Sequence, residues 1–103
     1  QAINKAGNIS IDASEEFLKA NPDFDEQKGY YGWAHICTSE VSVVTEALKK
    51  LKLASTYSDG VYYIRVEEYK TSNLELLEVG ATAAADFLTQ ELGQRFYVSS
   101  KID

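Results

Sequence analysis

The spacing of apolar positions along the chain predicts two amphipathic helices. Ser72 and Glu75 have the spacing of a capping box, in which a serine acceptor and an acid three residues later satisfy the first N–H groups of a helix. Gly80 lies in the middle of this second helix, and we expect it to kink the helix or to divide it. The apolar positions are Val41, Val44, Leu48 and Leu51 in the first helix, and Leu74, Leu77, Ala81, Ala84, Leu88 and Leu92 in the second.

Four segments contain the aromatic and β-branched residues that are typical of strands. The first covers residues 30–37 and the last covers residues 95–102. Residues 53–57 and 61–70 lie between the two helices and flank Asp59-Gly60, a dipeptide that favours a tight hairpin turn. From residue 30 onwards, the predicted order is therefore strand, helix, hairpin, helix and strand.

This order is the βαββαβ order of the ferredoxin-like fold, and it predicts an α+β protein. Right-handed crossovers would place both helices on one face of a four-stranded antiparallel sheet, with the strands that begin at Tyr30 and Val61 in its centre. The length of 103 residues fits one domain, in which residues 29–103 form the core and residues 1–28 form an acidic N-terminal extension. Many unrelated functions share this fold, so the fold alone predicts no activity.

The N-terminal extension is predicted to hold a short strand and a short helix. Residues 8–11 favour a strand or an extended arm. Asp12 and Glu15 have the spacing of a capping box, and Pro22 ends the helix that follows, because the residue before a proline is pushed out of helical geometry. Two arrangements stay open: the extension pairs with a sheet edge as a fifth strand, or it lies across the face of the sheet that has no helices.

That helix-free face is predicted to be rich in aromatic side chains. Successive strand residues point to opposite faces, so the aliphatic sets pack on the helices and the aromatic sets point away. Tyrosine and tryptophan combine a rigid apolar surface with a hydrogen-bonding group, the composition of interaction hot spots. We call this surface the aromatic face, and its predicted members are Tyr31, Trp33, His35, Tyr63, Arg65, Tyr69 and Tyr97.

Three roles of the aromatic face are compatible with the sequence. The N-terminal extension could cover it, or a protein partner could bind to it. In the third case two copies of the chain pack sheet to sheet around a small hydrophobic ligand, with weak enzymatic chemistry at His35.

Charge adds a second candidate surface. The net charge of −6 and the pI of about 4.7 argue against binding to nucleic-acid phosphates. Residues 12–28 hold six acids and two lysines. Such a segment can steer association with a basic protein partner, as in inhibitor or immunity proteins, or it can mimic nucleic acid. The predicted partner-binding site combines Tyr31, Trp33, Tyr63, Arg65 and Tyr69 with a charged rim of Asp23, Asp25 and Glu26.

The sequence contains no recognisable motif for catalysis, for a cofactor or for a metal ion. His35 and Cys37, the single histidine and the single cysteine, lie two residues apart on one strand, with Cα atoms roughly 6.5 to 7 Å apart. A Cys–His nucleophile pair needs hydrogen-bond reach and a third group, and two ligands do not make a zinc site. We therefore predict a non-enzymatic protein without cofactor, metal or membrane span.

The location is predicted less directly. A single cysteine favours a reducing compartment, which predicts a cytoplasmic protein. The chain begins at Gln1 rather than at a methionine, so the presence of a removed signal peptide stays open.

Overall fold

The computed structural model describes residues 2–56 and 60–103. Within these ranges the protein has three α-helices and four β-strands, and none of the helices combines the length and the apolarity needed to cross a membrane. The predicted turn at Asp59-Gly60 lies largely outside the described residues. The elements are α1 (Ala2–Ala20), β1 (Gly32–Thr38), α2 (Val43–Lys50), β2 (Ala54–Thr56), β3 (Tyr62–Ile64), α3 (Leu74–Leu92) and β4 (Tyr97–Ile102).

The four strands form one antiparallel sheet in the order β2-β3-β1-β4. Ile36 of β1 pairs with Ile64 of β3 on one side and with Val98 of β4 on the other. The predicted α+β class and the antiparallel sheet are confirmed, with β1 and β3 inside and β2 and β4 at the edges. The aliphatic face packs against α3, and its buried members are Ala34, Ile36, Tyr62, Ile64 and Phe96.

The N-terminal strand predicted at residues 8–11 is wrong, because these residues lie inside the continuous helix α1. The predicted fifth strand is therefore absent from residues 2–20. The capping-box spacing at Asp12 misled the prediction: Ser14 is a buried helix residue, and its Oγ donates a hydrogen bond to the Leu76 carbonyl of α3 at 3.2 Å. Helix α1 thus packs on α3 in the helix layer, and its Ile3 and Ala6 belong to the hydrophobic core.

Close contact between α1 and α3 explains Gly80, which does not divide α3. A Cβ atom at Gly80 would lie 2.7 Å from the carbonyl oxygen of Ser10 and 2.8 Å from Oγ of Ser14. The residues of α1 that meet α3 at this crossing are small and buried, namely Ser10 and Ser14. Small residues let two helix backbones approach closely, so glycine is required here by space rather than by flexibility.

Helix α2 is shorter than its apolar period predicts. It begins after Ser42, whose Oγ accepts a hydrogen bond from the Thr45 N–H at 3.2 Å while the Thr45 Oγ1 accepts one from the Ser42 N–H at 2.8 Å. Val41 and Leu51 consequently lie outside the helix and are exposed.

The long third strand predicted over residues 61–70 is also wrong, because β3 ends at Ile64. Ile36 pairs with Ile64, yet the Gly32 N–H bonds to the Ser72 carbonyl at 3.1 Å. From Gly32 to Ile36 there are four residue steps along β1, whereas from Ile64 to Ser72 there are eight along the opposite segment. The opposite segment therefore has four residues more than a regular ladder needs. Residues 65–71 bow away from β1 as a result, and we call this segment the arch.

Candidate functional site

The aromatic face is not covered by any helix among the described residues. Helix α1, the predicted cover, packs on α3 on the opposite side of the sheet. Trp33 and Tyr31 are 41% and 45% exposed, and His35, Tyr63 and Tyr97 are partly exposed. The hypothesis that the N-terminal segment covers the aromatic face therefore fails for residues 2–20.

Three rings of this face form a row of contacts that runs along β1 and crosses to β3. The ring centres of Trp33 and His35 are 6.3 Å apart, and those of His35 and Tyr63 are 5.5 Å apart, both in edge-to-face geometry. Tyr63 and Tyr97 lie directly across from Cys37 on its two neighbouring strands, and Cys37 is fully buried. We call Trp33, His35 and Tyr63 the ring cluster.

The imidazole of His35 lies in the ring cluster, next to a lysine. Burial, followed by the positive charge of Lys101, lowers the pKa of His35 below its ordinary value of 6.5. The Cys37 thiol donates to the backbone carbonyl of His35 at 3.8 Å. This contact leaves the imidazole out, so it is not the thiol–imidazole pair that nucleophilic catalysis requires.

The charged groups of the aromatic face are mostly basic, although the chain as a whole is acidic. Arg65, Arg95 and Lys101 are all exposed. The Arg95 guanidinium lies 5.2 Å from the ring centre of Tyr97, a cation–π contact, and Lys101 pairs with Trp33 in the sheet. Asp103 is the acidic exception, at the Tyr31 end, where its N–H bonds to the Tyr31 carbonyl.

The predicted acidic rim meets the aromatic face at Tyr31. The Tyr31 hydroxyl donates to the Gln27 carbonyl at 3.0 Å. Glu26 is already bonded within the protein, since its carboxylate accepts a hydrogen bond from the Thr71 hydroxyl at 2.9 Å. Asp23 and Asp25 are exposed, although the Asp25 carboxylate also accepts a bond from the Gln27 N–H at 2.9 Å. Two of the three predicted rim residues are therefore accessible to a partner.

A cleft of about 730 Å³ separates β1 from the arch. We call it the arch cleft. Trp33, His35 and Arg65 line it on the side of the aromatic face, and α1 lines it on the opposite side. The arch reaches α1 at Gly7, where an added Cβ would lie 3.1 Å from Cβ and 3.3 Å from the backbone N of Glu67. The cleft therefore passes through the sheet at the place where the β1–β3 ladder opens.

Ala34 directs its backbone groups into this cleft. The Asp103 N–H bonds to the Tyr31 carbonyl. Because backbone groups alternate along a strand, the N–H and C=O groups of odd-numbered residues of β1 point towards β4, and those of even-numbered residues point towards β3. The Ala34 N–H and C=O consequently face the arch, and within residues 2–56 and 60–103 no backbone bond joins them to it. Ala34 is nevertheless only 8% exposed.

Hydrogen exchange tests this opening of the ladder. We expect the Ala34 amide to exchange at least about tenfold faster than the Ile36 amide, because an amide without a ladder bond exchanges through smaller openings. Ile36 is the matched control, since it faces the same side of β1 and pairs with Ile64. The measurement is native-state exchange followed by NMR. Equal protection of the two amides would mean that the arch is closed onto β1.

The structure brings together some of the predicted site residues and leaves others apart. Trp33 and Tyr63 contact each other through His35, and Arg65 lines the same cleft as Trp33. Tyr69 lies in the arch, where strand alternation no longer assigns it to the aromatic face. The prediction missed the backbone of Ala34 and the contribution of α1. One signal was available: a strand over residues 61–70 would have directed Glu68 into the core, which is costly for a carboxylate.

Comparison of the chain with protein-family models gives no match, and comparisons with curated proteins and with solved structures give none either.

Proposed function

We propose that this protein is a small non-enzymatic protein-binding module that acts through its aromatic face, in the manner of an inhibitor, immunity or regulatory protein. The observation that carries the proposal is the ring cluster, a set of contacting aromatic side chains on a sheet face that no described helix covers. Exposed aromatic groups near the centre of a surface are the usual energetic anchors of protein interfaces.

The proposal includes a finer description of the fold. We propose that the part from β1 to β4 is a ferredoxin-like βαββαβ unit to which α1 has been added. The strand order β2-β3-β1-β4 supports it, because a unit of this kind has its four strands in the same order. In this arrangement the helices occupy one face and leave the other available for a partner.

Charge indicates which partner the aromatic face would accept. Arg65, Arg95 and Lys101 surround the ring cluster, so the complementary surface is apolar with an acidic rim. A basic partner was predicted from the acidic residues of the 12–28 segment. These residues belong to α1 and to the loop after it. A partner that spans both regions would carry acidic groups opposite Arg65 and basic groups opposite Asp23 and Asp25.

A sheet-to-sheet homodimer is the second candidate for this face. It would bring the basic groups of two copies towards each other, which costs energy unless Asp103 of each copy offsets them. The two candidates differ in solution mass, and they differ in salt response as well. A contact that depends on the basic rim weakens as ionic strength rises, whereas a buried apolar ligand between two sheets responds little.

The experiment that tests the proposal is a binding comparison between Trp33→Ala and Tyr30→Ala. Tyr30 is 69% exposed and precedes β1, and it is not a member of the aromatic face, so it is a control of similar size. A partner of the aromatic face should bind to the unchanged protein and to Tyr30→Ala and not to Trp33→Ala. Equal binding by all three proteins would remove the aromatic face from the mechanism.

A further inference from the structure

We propose that the arch cleft binds a small molecule with the chemistry of an N-acylated amino acid: an apolar body, one amide group and one carboxylate. The cleft shares Trp33, His35 and Arg65 with the aromatic face, but the inference does not depend on the partner-binding role proposed for that face. Three properties of the cleft carry the inference, namely its size and apolar interior, the orientation of the Ala34 backbone, and the position of Arg65.

The interior of the arch cleft can hold an apolar group of limited size. Its volume of about 730 Å³ lies within the range of small-molecule sites, roughly 300 to 1,000 Å³. Part of the lining is aliphatic, so an apolar side chain placed against it is removed from water. The aliphatic lining consists of Ile3, Ala34, Ile36, Leu53, Ile64, Val66 and Ala81, and α1 adds the polar residues Asn4, Asn8 and Ser10.

The backbone of Ala34 supplies a matched donor and acceptor. In an antiparallel ladder, two opposed residues exchange both of their N–H···O bonds, so the complement of Ala34 is the N–H and C=O of one extended residue. Because the arch has four surplus residues and bows away from β1, none of its residues pairs with Ala34. An N-acylated amino acid can restore the complement with its amide N–H and one carboxylate oxygen, which stand where the N–H and C=O of an extended residue would be. Buried backbone groups gain free energy when they are paired.

Arg65 supplies the charge that selects a carboxylate. It is exposed, it lines the cleft beside Trp33 and His35, and no acidic side chain among the described residues lies within ion-pair distance of it. The planar guanidinium group can bind both oxygens of a carboxylate. Glu67 and Glu68 also line the cleft, and burial raises the pKa of the Glu68 carboxyl. Glu67 meets α1 at Gly7, so these acids repel an anion from their part of the cleft and Arg65 is the cation that attracts it.

The probe for the test is N-acetyl-L-leucine, titrated into the protein and followed by two-dimensional amide NMR. We expect a saturable downfield shift of the Ala34 amide, because its N–H gains a hydrogen bond. Two comparison compounds each lack one feature: N-acetyl-L-leucine methyl ester has no carboxylate, and 4-methylpentanoic acid has no amide. Each should bind at least about tenfold more weakly, since each loses a directed hydrogen bond or ion pair.

The two arginines provide a matched pair of variants. Arg65→Gln should weaken binding of N-acetyl-L-leucine by about tenfold, the cost of one charge-assisted contact at an exposed group. Arg95→Gln should leave binding unchanged, because Arg95 stacks on Tyr97 and does not line the cleft. Both side chains are exposed, so neither change should affect folding. The proposal is overturned if the Ala34 amide does not shift, if the ester binds as well as the acid, or if the two variants behave alike.

Discussion

Gly80→Val should lower the free energy of unfolding by about 3 kcal/mol, the upper part of the usual range for overpacking. A Cβ atom at this position would lie under 3.0 Å from three oxygen atoms, and one of them is the Ser10 carbonyl oxygen of the α1 backbone. A side chain at position 80 therefore cannot be accommodated by a rotamer change alone, and α1 must move away from α3. The displacement would also break the Ser14–Leu76 hydrogen bond.

Thr82→Val is the control for this change, since Thr82 is exposed in the same helix and threonine and valine have similar helix propensity. Urea unfolding followed by circular dichroism measures both variants. We expect Thr82→Val to stay within about 0.5 kcal/mol of the unchanged protein, as surface substitutions usually do. A Gly80→Val variant as stable as Thr82→Val would mean that α1 does not pack on α3 as described.

Trp33→Ala should remove partner binding while leaving a cooperatively folded protein. Truncation of a central aromatic anchor typically costs at least about 2 kcal/mol of binding free energy, a loss of thirtyfold or more in affinity. The expected cost to folding is smaller, about 1 to 2 kcal/mol, because the side chain is 41% exposed and leaves no closed cavity. Affinity and stability therefore respond differently to this substitution, and that difference separates an interface residue from a core residue.

Calorimetric titration of the partner and urea unfolding give the two quantities. Tyr30→Ala is again the control, and it should change neither by more than a few tenths of a kcal/mol. If Trp33→Ala instead costs 3 to 5 kcal/mol of stability, as a buried tryptophan would, the aromatic face is part of the core and the proposed function is wrong.

The parts of the fold that the sequence predicts well are those in which the hydrophobic pattern is strong and local. The apolar period of α3 and the aromatic residues of β1 each indicate one type of element, and the order of these elements restricts the sheet to a few topologies. The same alternation along β1 placed Trp33 and His35 on one face, where the structure has their rings in contact.

The first half of helix α1, up to the predicted helix start at Asp12, was missed because its packing side is built from small residues rather than large apolar ones. Ser10 and Ser14 carry little hydrophobic signal, yet they lie one helical turn apart and are buried against α3, while Gly7 is buried beside Glu67 of the arch. A pattern of this kind becomes informative only when the partner helix is known to carry Gly80 at the crossing. The prediction therefore assigned a local capping motif where tertiary contact determines the structure.

The arch was missed for a different reason. Strand propensity is high through residues 61–70. No local feature of this segment shows how many of its residues can pair with β1. The four surplus residues become evident only when both ends of the segment are paired, at Ile36–Ile64 and at Gly32–Ser72. Strand register is thus a non-local property. For this reason the sequence alone does not predict the arch cleft or the missing ladder bonds of Ala34.

The proposed binding role requires the claim that the aromatic face is open. Trp33 is the only tryptophan, so its fluorescence reports on this face alone. Iodide quenching of that fluorescence, measured together with the solution mass, tests the claim most directly. We predict a monomer with red-shifted emission that iodide quenches readily, whereas blue-shifted emission that iodide cannot quench in a monomer would contradict the claim.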